Sequence, residues 1–232
     1  LCDELSWPPS VHYALAALTA QTNCSFINAA AQVSTSPEMV AAFDDIGRLC
    51  VTSHDICSGQ TKSKGIMFDY LLSCGFPLSH VISHNELGNR DGYNLQGIGQ
   101  NQSKITTKTS MLDMSRERRP GVDSTGHVDH TVSIGYVKGV GDNKLATDEF
   151  AFNLAFGQTT SLSTRMVCPD TLLAIPLLFD LAVIVPLLAS AKADSAKASS
   201  ILAFYFKSCP TDDTPFLLEQ LRTLTDWLSW RK

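Results

Sequence analysis

Leu172 to Ala189 is an almost unbroken apolar run, about as long as a membrane span, and no other segment limits the possible folds so strongly. Pro176, Asp180 and Pro186 interrupt it. A carboxylate at mid-bilayer costs about 2.5–3.5 kcal/mol even on the mildest scales. A helix buried against a sheet is therefore favoured over a membrane helix, and no membrane partner is expected. Such a helix needs a substantial core, which 232 residues can supply as one large domain or two modest ones. With 44% hydrophobic and 18% charged residues, the composition is that of a soluble globular protein. A net charge of -5 without a basic stripe argues against nucleic acid as a partner. Seven scattered cysteines with no CxxC pair suit reduced thiols and a cytoplasmic location. No signal peptide is visible, and a chain opening at Leu1 is expected to be part of something longer.

Upstream of the apolar run, strand and helix signals alternate, which implies a parallel α/β sheet. Pro9 to Gln21 reads as a helix, Ser25 to Asn28 as a strand, Pro37 to Asp45 as a helix and Leu49 to Ser53 as a strand. Gln60 to Cys74 reads as an amphipathic helix with Ile66, Met67, Tyr70 and Leu71 on one stripe. Pro77 to Ser83 follows as a strand. Asn85 to Val128 is polar, with Arg116, Glu117, Arg118 and Arg119 in a row, and a long polar stretch in a compact chain is either disordered or a functional loop. The part from Asn94 to about Asp123 is expected to close over substrate. Thr131 to Val137 resumes as a strand, Asn143 to Phe152 looks helical and Thr159 to Val167 is a strand. Helices over Thr171 to Ala189, Ala198 to Lys207 and Pro215 to Leu228 close the chain.

Three groups of residues stand out chemically. Ser58-Gly59-Gln60-Thr61-Lys62 lies where a strand meets a helix. Ser58 suits an N-cap and Gly59 allows close backbone approach, so the turn could hold a phosphate on free N–H groups; a plain cap is the commoner use. Asn85 to Leu95 holds three Asn, one Asp and two Gly in eleven residues. That is ordinary turn chemistry, and it equally suits a polyhydroxyl ligand or a nicotinamide ribose. The third group is Lys104, Lys108, Lys144 and Lys207. Each alone reads as a solvated or snorkelling charge. Lys207, at the end of an apolar run, is the one most suited to partial burial, where a lysine gives up some of its preference for the charged form and can serve as a base.

In order along the chain, these pieces resemble the inositol-3-phosphate synthase family. Its Ser-Gly-Gln-Thr-Lys motif stands at Ser58 to Lys62, and its Asn-x-Leu-Gly-Asn-x-Asp-Gly-Tyr-Asn-Leu block at Asn85 to Leu95. The spaced Ser-Lys-x-x-x-Lys follows at Ser103, Lys104 and Lys108. Val-Gly-Asp-x-Lys-x-Ala-x-Asp-Glu spans Val140 to Glu149, and Cys-x-Asp-x-Leu-Leu-Ala spans Cys168 to Ala174.

The resemblance implies an isomerase that uses bound NAD and regenerates it, closing D-glucose 6-phosphate into 1D-myo-inositol 3-phosphate for inositol and phospholipid biosynthesis. Oxidation at C5 acidifies the C6–H, enolisation and aldol attack on C1 close the ring, and hydride then returns to the ketone. Fixed ammonium groups suit such a sequence of oxyanions, with no metal required. The family's active-site positions fall on Asp55, Asn85, Asn89, Asp91, Leu95 and Ile134, on the four lysines, and on Asp170. Lys104 and Lys207 are assigned proton transfer and oxyanion stabilisation, and Asp170 an ion pair orienting Lys104. Lys108 and Lys144, with the Ser58 to Thr61 turn (Ser58, Gly59, Gln60, Thr61), are assigned the phosphate or the aldol oxygen. NAD-lining positions are Asp55, Ser58, Asn89, Asp91, Lys104, Gly141, Asp142 and Asp170. The four lysines are expected to converge on one phosphosugar, and a homotetramer is implied.

The implied fold class is α/β: the end of a Rossmann-like nucleotide domain over 1–62, an inserted α+β catalytic and oligomerisation domain over 63–170, and closing helices over 171–232. The Gly-rich dinucleotide fingerprint is missing from the chain, and Asn28-Ala29-Ala30-Ala31-Gln32-Val33 replaces the family's Asn-Gly-Ser-Pro-Gln-Asn. Cys57, Arg90, Gln102 and Gly135 also depart from the usual residues. Three alternatives stay open: a truncated or divergent relative that binds phosphosugar without catalysis, an NAD-linked sugar-phosphate dehydrogenase, and a membrane-anchored protein.

Overall fold

The structure, a computed structural model, describes residues 9–76, 78–94, 129–209 and 216–229. Lys104, Lys108, Leu95 and the expected substrate-closing segment therefore lie outside the described residues, apart from Asn94. Along the chain run α1 (Pro9–Thr19), β1 (Phe26–Ile27), α2 (Pro37–Asp45), β2 (Cys50–Val51), β3 (His54–Ile56), α3 (Gly59–Ser73), β4 (Leu78–Leu87) and α4 (Arg90–Asn94). They are followed by β5 (Asp129–Tyr136), β6 (Asn143–Asn153), β7 (Thr159–Pro169), α5 (Asp170–Ser190), α6 (Ser195–Ile201), β8 (Phe206–Ser208) and α7 (Leu217–Ser229). Two compact units result: residues 1–57, 176–213 and 220–232 in one, 58–175 and 214–219 in the other.

In the first unit β1 and β2 pair in parallel, Phe26 with Cys50 and Ile27 with Val51, as the alternation of strand and helix requires. The α2 helix starts where Ser36 Oγ accepts the Met39 amide, with Pro37 at the first helical position. Phe43 from α2 and Ala14 from α1 bury against Phe26 and Cys50. The amides of Cys50 and Thr52 donate to Ser195 Oγ and Ser199 Oγ, both at 2.9 Å. Two hydroxyls of α6 thus satisfy the polar backbone around β2. Leu181, Ile184, Val185 and Leu188 of α5 pack with Leu49, Val51, Leu202 and Phe206 into the main core.

Only that stripe of α5 is covered. Phe179 is 69% exposed and Val183 63%, so the helix expected to be buried against a sheet is covered along one stripe and open on the other side. By length and composition the helix could cross a membrane, yet its exposed Asp180 carboxylate accepts the hydroxyl of the core residue Tyr205 at 3.2 Å.

The second unit is built on a four-stranded sheet in the order β5-β4-β6-β7, with β4 parallel to β5 and antiparallel to β6, and β7 antiparallel to β6. Asn143 to Phe152, expected to be helical, is strand β6. Its buried positions follow a period of two (Lys144, Ala146, Asp148, Phe150), and pairing on both edges overrides the helix propensity of its Lys, Leu, Ala and Glu residues. The matching row on β4 is Val81, Ser83, Asn85 and Leu87. Phe68, Leu71 and Leu72 of α3 close a core over Val81 and Phe150.

The α3 stripe also differs from expectation. Ile66 and Tyr70 are exposed, whereas Gln60, Thr61, Lys64, Phe68 and Leu72 are buried. The covered face is polar at its N-terminal end and apolar at its C-terminal end, so a search for apolar spacing alone misplaces it. The first amide of α7, Leu217 N, donates to Asp69 Oδ2 of α3 at 2.9 Å.

Candidate functional site

Asp55 and Lys207 meet within the first unit: Lys207 Nζ lies 2.9 Å from Asp55 Oδ2, with the two side chains 13% and 8% exposed. Lys207 sits on a strand. The expected helix over Ala198 to Lys207 ends at Ile201, passes through a 3-10 turn (Ala203–Tyr205), and continues as β8 antiparallel to β3, with Ile56 opposite Phe206. Extended pairing, with Phe206 turned into the core, carries Lys207 to the carboxylate of Asp55. Asp55 itself has φ 60, a left-handed conformation that Asp tolerates better than most residues. It is fixed there by its amide donating to Ala30 O and the Ile56 amide to Ala29 O, both at 3.0 Å. The Ala-rich turn that departs from the family pattern therefore holds Asp55 through main-chain carbonyls. Asn28 closes that turn, its side chain accepting from the Ala30 amide and donating to Gln32 O.

The remaining described positions belong to the second unit. Ser58 takes the N-cap position of α3 in an extended conformation, but its side chain makes no capping hydrogen bond, contrary to the simple-cap reading. Gly59 begins the helix at φ 50. The first N–H groups of α3 are thus not taken by Ser58, and the positive end of the helix dipole lies there. Gln60 and Thr61 turn inward and are buried.

Asn85 is fully buried on β4, where Nδ2 donates to Ser133 O at 3.4 Å and Oδ1 has no hydrogen-bond partner. Ile134 is its register partner on β5. The Asn-rich block is therefore part strand and part turn. Turn chemistry begins at Asn89, whose Oδ1 accepts the Gly92 amide at 2.9 Å and whose carbonyl accepts the Tyr93 amide. Asp91 lies in the short helix α4, and Asp170 opens α5 directly after β7.

Gly88 explains why two of the motifs occur together. A Cβ there would collide with Gly141 N and lie 2.5 Å from Gly141 O and 2.8 Å from Val137 O, all backbone atoms. Only glycine lets the end of β4 meet the turn at Gly141, which has φ 64. That contact brings Asn89 beside the Gly141-Asp142 turn. Lys144 follows on β6, buried and opposite Leu87. At Gly135 the Glu86 carboxylate from the neighbouring strand occupies the space a side chain would take: a Cβ would collide with Glu86 Oε2 and lie 2.9 Å from its Cδ.

Sequence reading missed a buried polar set around Asp148. Ser83 Oγ donates to Asp148 Oδ1 at 2.6 Å, and Gln60 Nε2 donates to the two carboxylate oxygens at 2.9 and 3.1 Å. Lys64 Nζ lies 3.5 Å from Ser83 Oγ and 3.4 Å from His130 Nε2. The available signal was the four-residue spacing of Gln60, Lys64, Phe68 and Leu72, which places polar and apolar groups on one helical row. Among the described residues no group of three or more His, Cys, Asp or Glu side chains gathers as a metal site. Two buried hydroxyls of the first unit, Ser34 Oγ and Ser53 Oγ, have no hydrogen-bond partner.

A family model described as myo-inositol-1-phosphate synthase matches residues 59–171. Inositol-3-phosphate synthase 1 of Bos taurus is 37% identical over 181 residues, covering 77% of this chain and 32% of that protein. Inositol-3-phosphate synthase of Candida glabrata is 35% identical over 184 residues, covering 78% and 34%. Inositol-3-phosphate synthase of Caenorhabditis elegans superposes with a TM-score of 0.83 at 28% identity, covering 94% of this chain and 44% of that one. A myo-inositol-1-phosphate synthase-related protein of Thermotoga maritima gives 0.74 at 19% identity, which speaks for the fold alone. The chain spans about a third of the length of the curated relatives it matches.

Proposed function

Because the chain belongs to the inositol-3-phosphate synthase family, we propose that it supplies the phosphosugar-handling part of an enzyme that converts D-glucose 6-phosphate to 1D-myo-inositol 3-phosphate. In this reading 1–62 ends a Rossmann-like domain, 63–170 is the catalytic and oligomerisation domain, and 171–232 returns to the first; the assembly is a cytoplasmic homotetramer feeding inositol and phospholipid synthesis. Support comes above all from Asp55 and Lys207. They were assigned from separate parts of the sequence and form an ion pair at 2.9 Å.

The first turn of α3 would take the phosphate on its uncapped N–H groups. Lys104, Lys108, Lys144 and Lys207 would steady the oxyanions of the enolate and aldol stages, since fixed cations stabilise developing charge without solvent reorganisation. Asp55 would hold Lys207 in place for proton transfer. Within the first unit the residues present fit the nicotinamide-ribose end of NAD: Asp55 and the buried Ser34 and Ser53 hydroxyls, which have no hydrogen-bond partner, are polar groups of the right kind. NAD, when bound, supplies a hydride acceptor that is regenerated within the cycle.

The test is turnover by the natural protein that carries these residues. Glucose 6-phosphate with NAD should yield inositol phosphate with no net NADH, and Lys104→Ala should abolish it. Unchanged activity in that variant defeats the mechanism, and accumulating NADH marks a dehydrogenase instead. A second reading, binding without catalysis, is favoured by Ala29 to Ala31 standing where the family has Gly, Ser and Pro. Calorimetry separates it: phosphosugar would bind and NAD would not.

A further inference from the structure

Apart from Gln60, which lies in the phosphate turn, the buried set around Asp148 has no part in the chemistry above, and its cost calls for a role. Asp148 is 3% exposed, Lys64 2% and Ser83 0%. A carboxylate so placed costs several kcal/mol to desolvate, and apolar residues of similar size would often serve the core as well or better. Phe150, two residues along the same face of β6, shows what this row takes where only packing is needed.

The hydrogen bonds have one consistent direction. A carboxylate only accepts, so Ser83 gives its single hydroxyl proton to Asp148 and turns a lone pair to the Lys64 ammonium, which only donates. Gln60 must then present Nε2 to Asp148 rather than Oε1, because the reversed amide would set oxygen against oxygen. Both carboxylate oxygens receive that nitrogen, so the Gln60 side chain is held in one orientation. Gln60 lies in the first turn of α3, the turn that carries the uncapped amides.

We propose that Asp148 is a positioning residue: through Gln60 it pins the first turn of α3 to the sheet, and so sets the N–H groups that receive a phosphate. This rests on the phosphate reading of that turn. Ser83 and Lys64 complete the device, Ser83 by donating to Asp148 Oδ1 and Lys64 by placing a balancing charge one hydroxyl away.

The test uses Asp148→Asn and the reversed pair Asp148→Asn with Gln60→Glu. In the single variant the amide introduced on β6 fits Gln60 in either orientation and the fixed pairing is lost. In the reversed pair Ser83 donates to the new amide oxygen, and the amide nitrogen donates to the new carboxylate at position 60, which restores the direction and the charge count. Calorimetry with inorganic phosphate and with glucose 6-phosphate should show affinity about tenfold weaker in Asp148→Asn, the fold-change expected for one charge-assisted hydrogen bond, and recovered in the reversed pair. Hydrogen exchange at the amides opening α3 should quicken in the single variant and slow again in the pair. Unchanged exchange in Asp148→Asn overturns the proposal, as does a reversed pair as weak as the single variant. If the wild type binds neither probe, the phosphate reading fails while exchange still decides whether Asp148 holds the turn.

Discussion

Replacing Asp55 separates the two things that hold the Asp55–Lys207 pair in place. At 2.9 Å and an effective dielectric of about 20, the gross attraction is ~6 kcal/mol. Desolvation offsets part of it, and breaking a fully buried pair costs about 3–5 kcal/mol. Side chains still 13% and 8% exposed let water recover some of that, so Asp55→Asn should cost about 2–4 kcal/mol. Asn tolerates φ 60 nearly as well as Asp, so the charge alone is removed. Asp55→Ala loses the charge and also forces a Cβ residue without a compensating side chain into the left-handed region, adding about 1–2 kcal/mol. Lys207→Met leaves the carboxylate unpaired. The double variant with Asp55→Asn should then cost less than the sum of the singles, because each breaks the same interaction. Urea unfolding followed by Trp227 fluorescence reads this unit, since Trp227 packs on the core that contains Phe206. With a slope of about 2 kcal/mol per molar, Asp55→Asn should lower the midpoint by roughly 1–2 M. Two results would refute the reasoning: Ala and Asn variants of equal stability, or a double variant whose loss equals the sum of the singles.

Gly88→Ala should destabilise by about 1–3 kcal/mol, because three backbone atoms must move to admit the new methyl, and an unchanged thermal melt would contradict that contact. Burial, reinforced by Asp44, pushes the Cys50 thiol up to about 12, and burial beside Asp180 does the same for the Tyr205 hydroxyl. Both groups therefore contribute stability below about pH 9 that is lost as the pH rises towards 12, because the unfolded chain ionises first. Cys50→Ala should flatten that alkaline slope in urea titrations, and an identical slope would exclude Cys50 as its source. Leu188→Ala, which empties a fully buried position of the α5 stripe, should cost about 2–5 kcal/mol, while Phe179→Ser on the exposed side should change the urea midpoint little. Equal losses from the two would mean that the exposed side of α5 is covered in solution.

Whatever depends on local chemistry could be read from the chain alone. The helix read over Pro37 to Asp45 is α2, the β1 and β2 signals lie where the parallel pair forms, and five ordered motifs identify the family. Residues whose conformation is decided by neighbours distant in the chain could not be placed that way. Asn143 to Phe152 carries helix-forming residues, yet pairing on two edges makes it a strand. Lys207 follows an apolar run that looks helical, yet β3 draws it into extended pairing and so to Asp55. The polar half of the covered α3 face shows the same limit. Gln60 and Lys64 look solvated until Ser83 and Asp148, brought opposite each other by the register of β4 and β6, supply their partners. Propensity and spacing act over a few residues, whereas burial of a charge is settled by hydrogen bonds that only the tertiary fold can assemble.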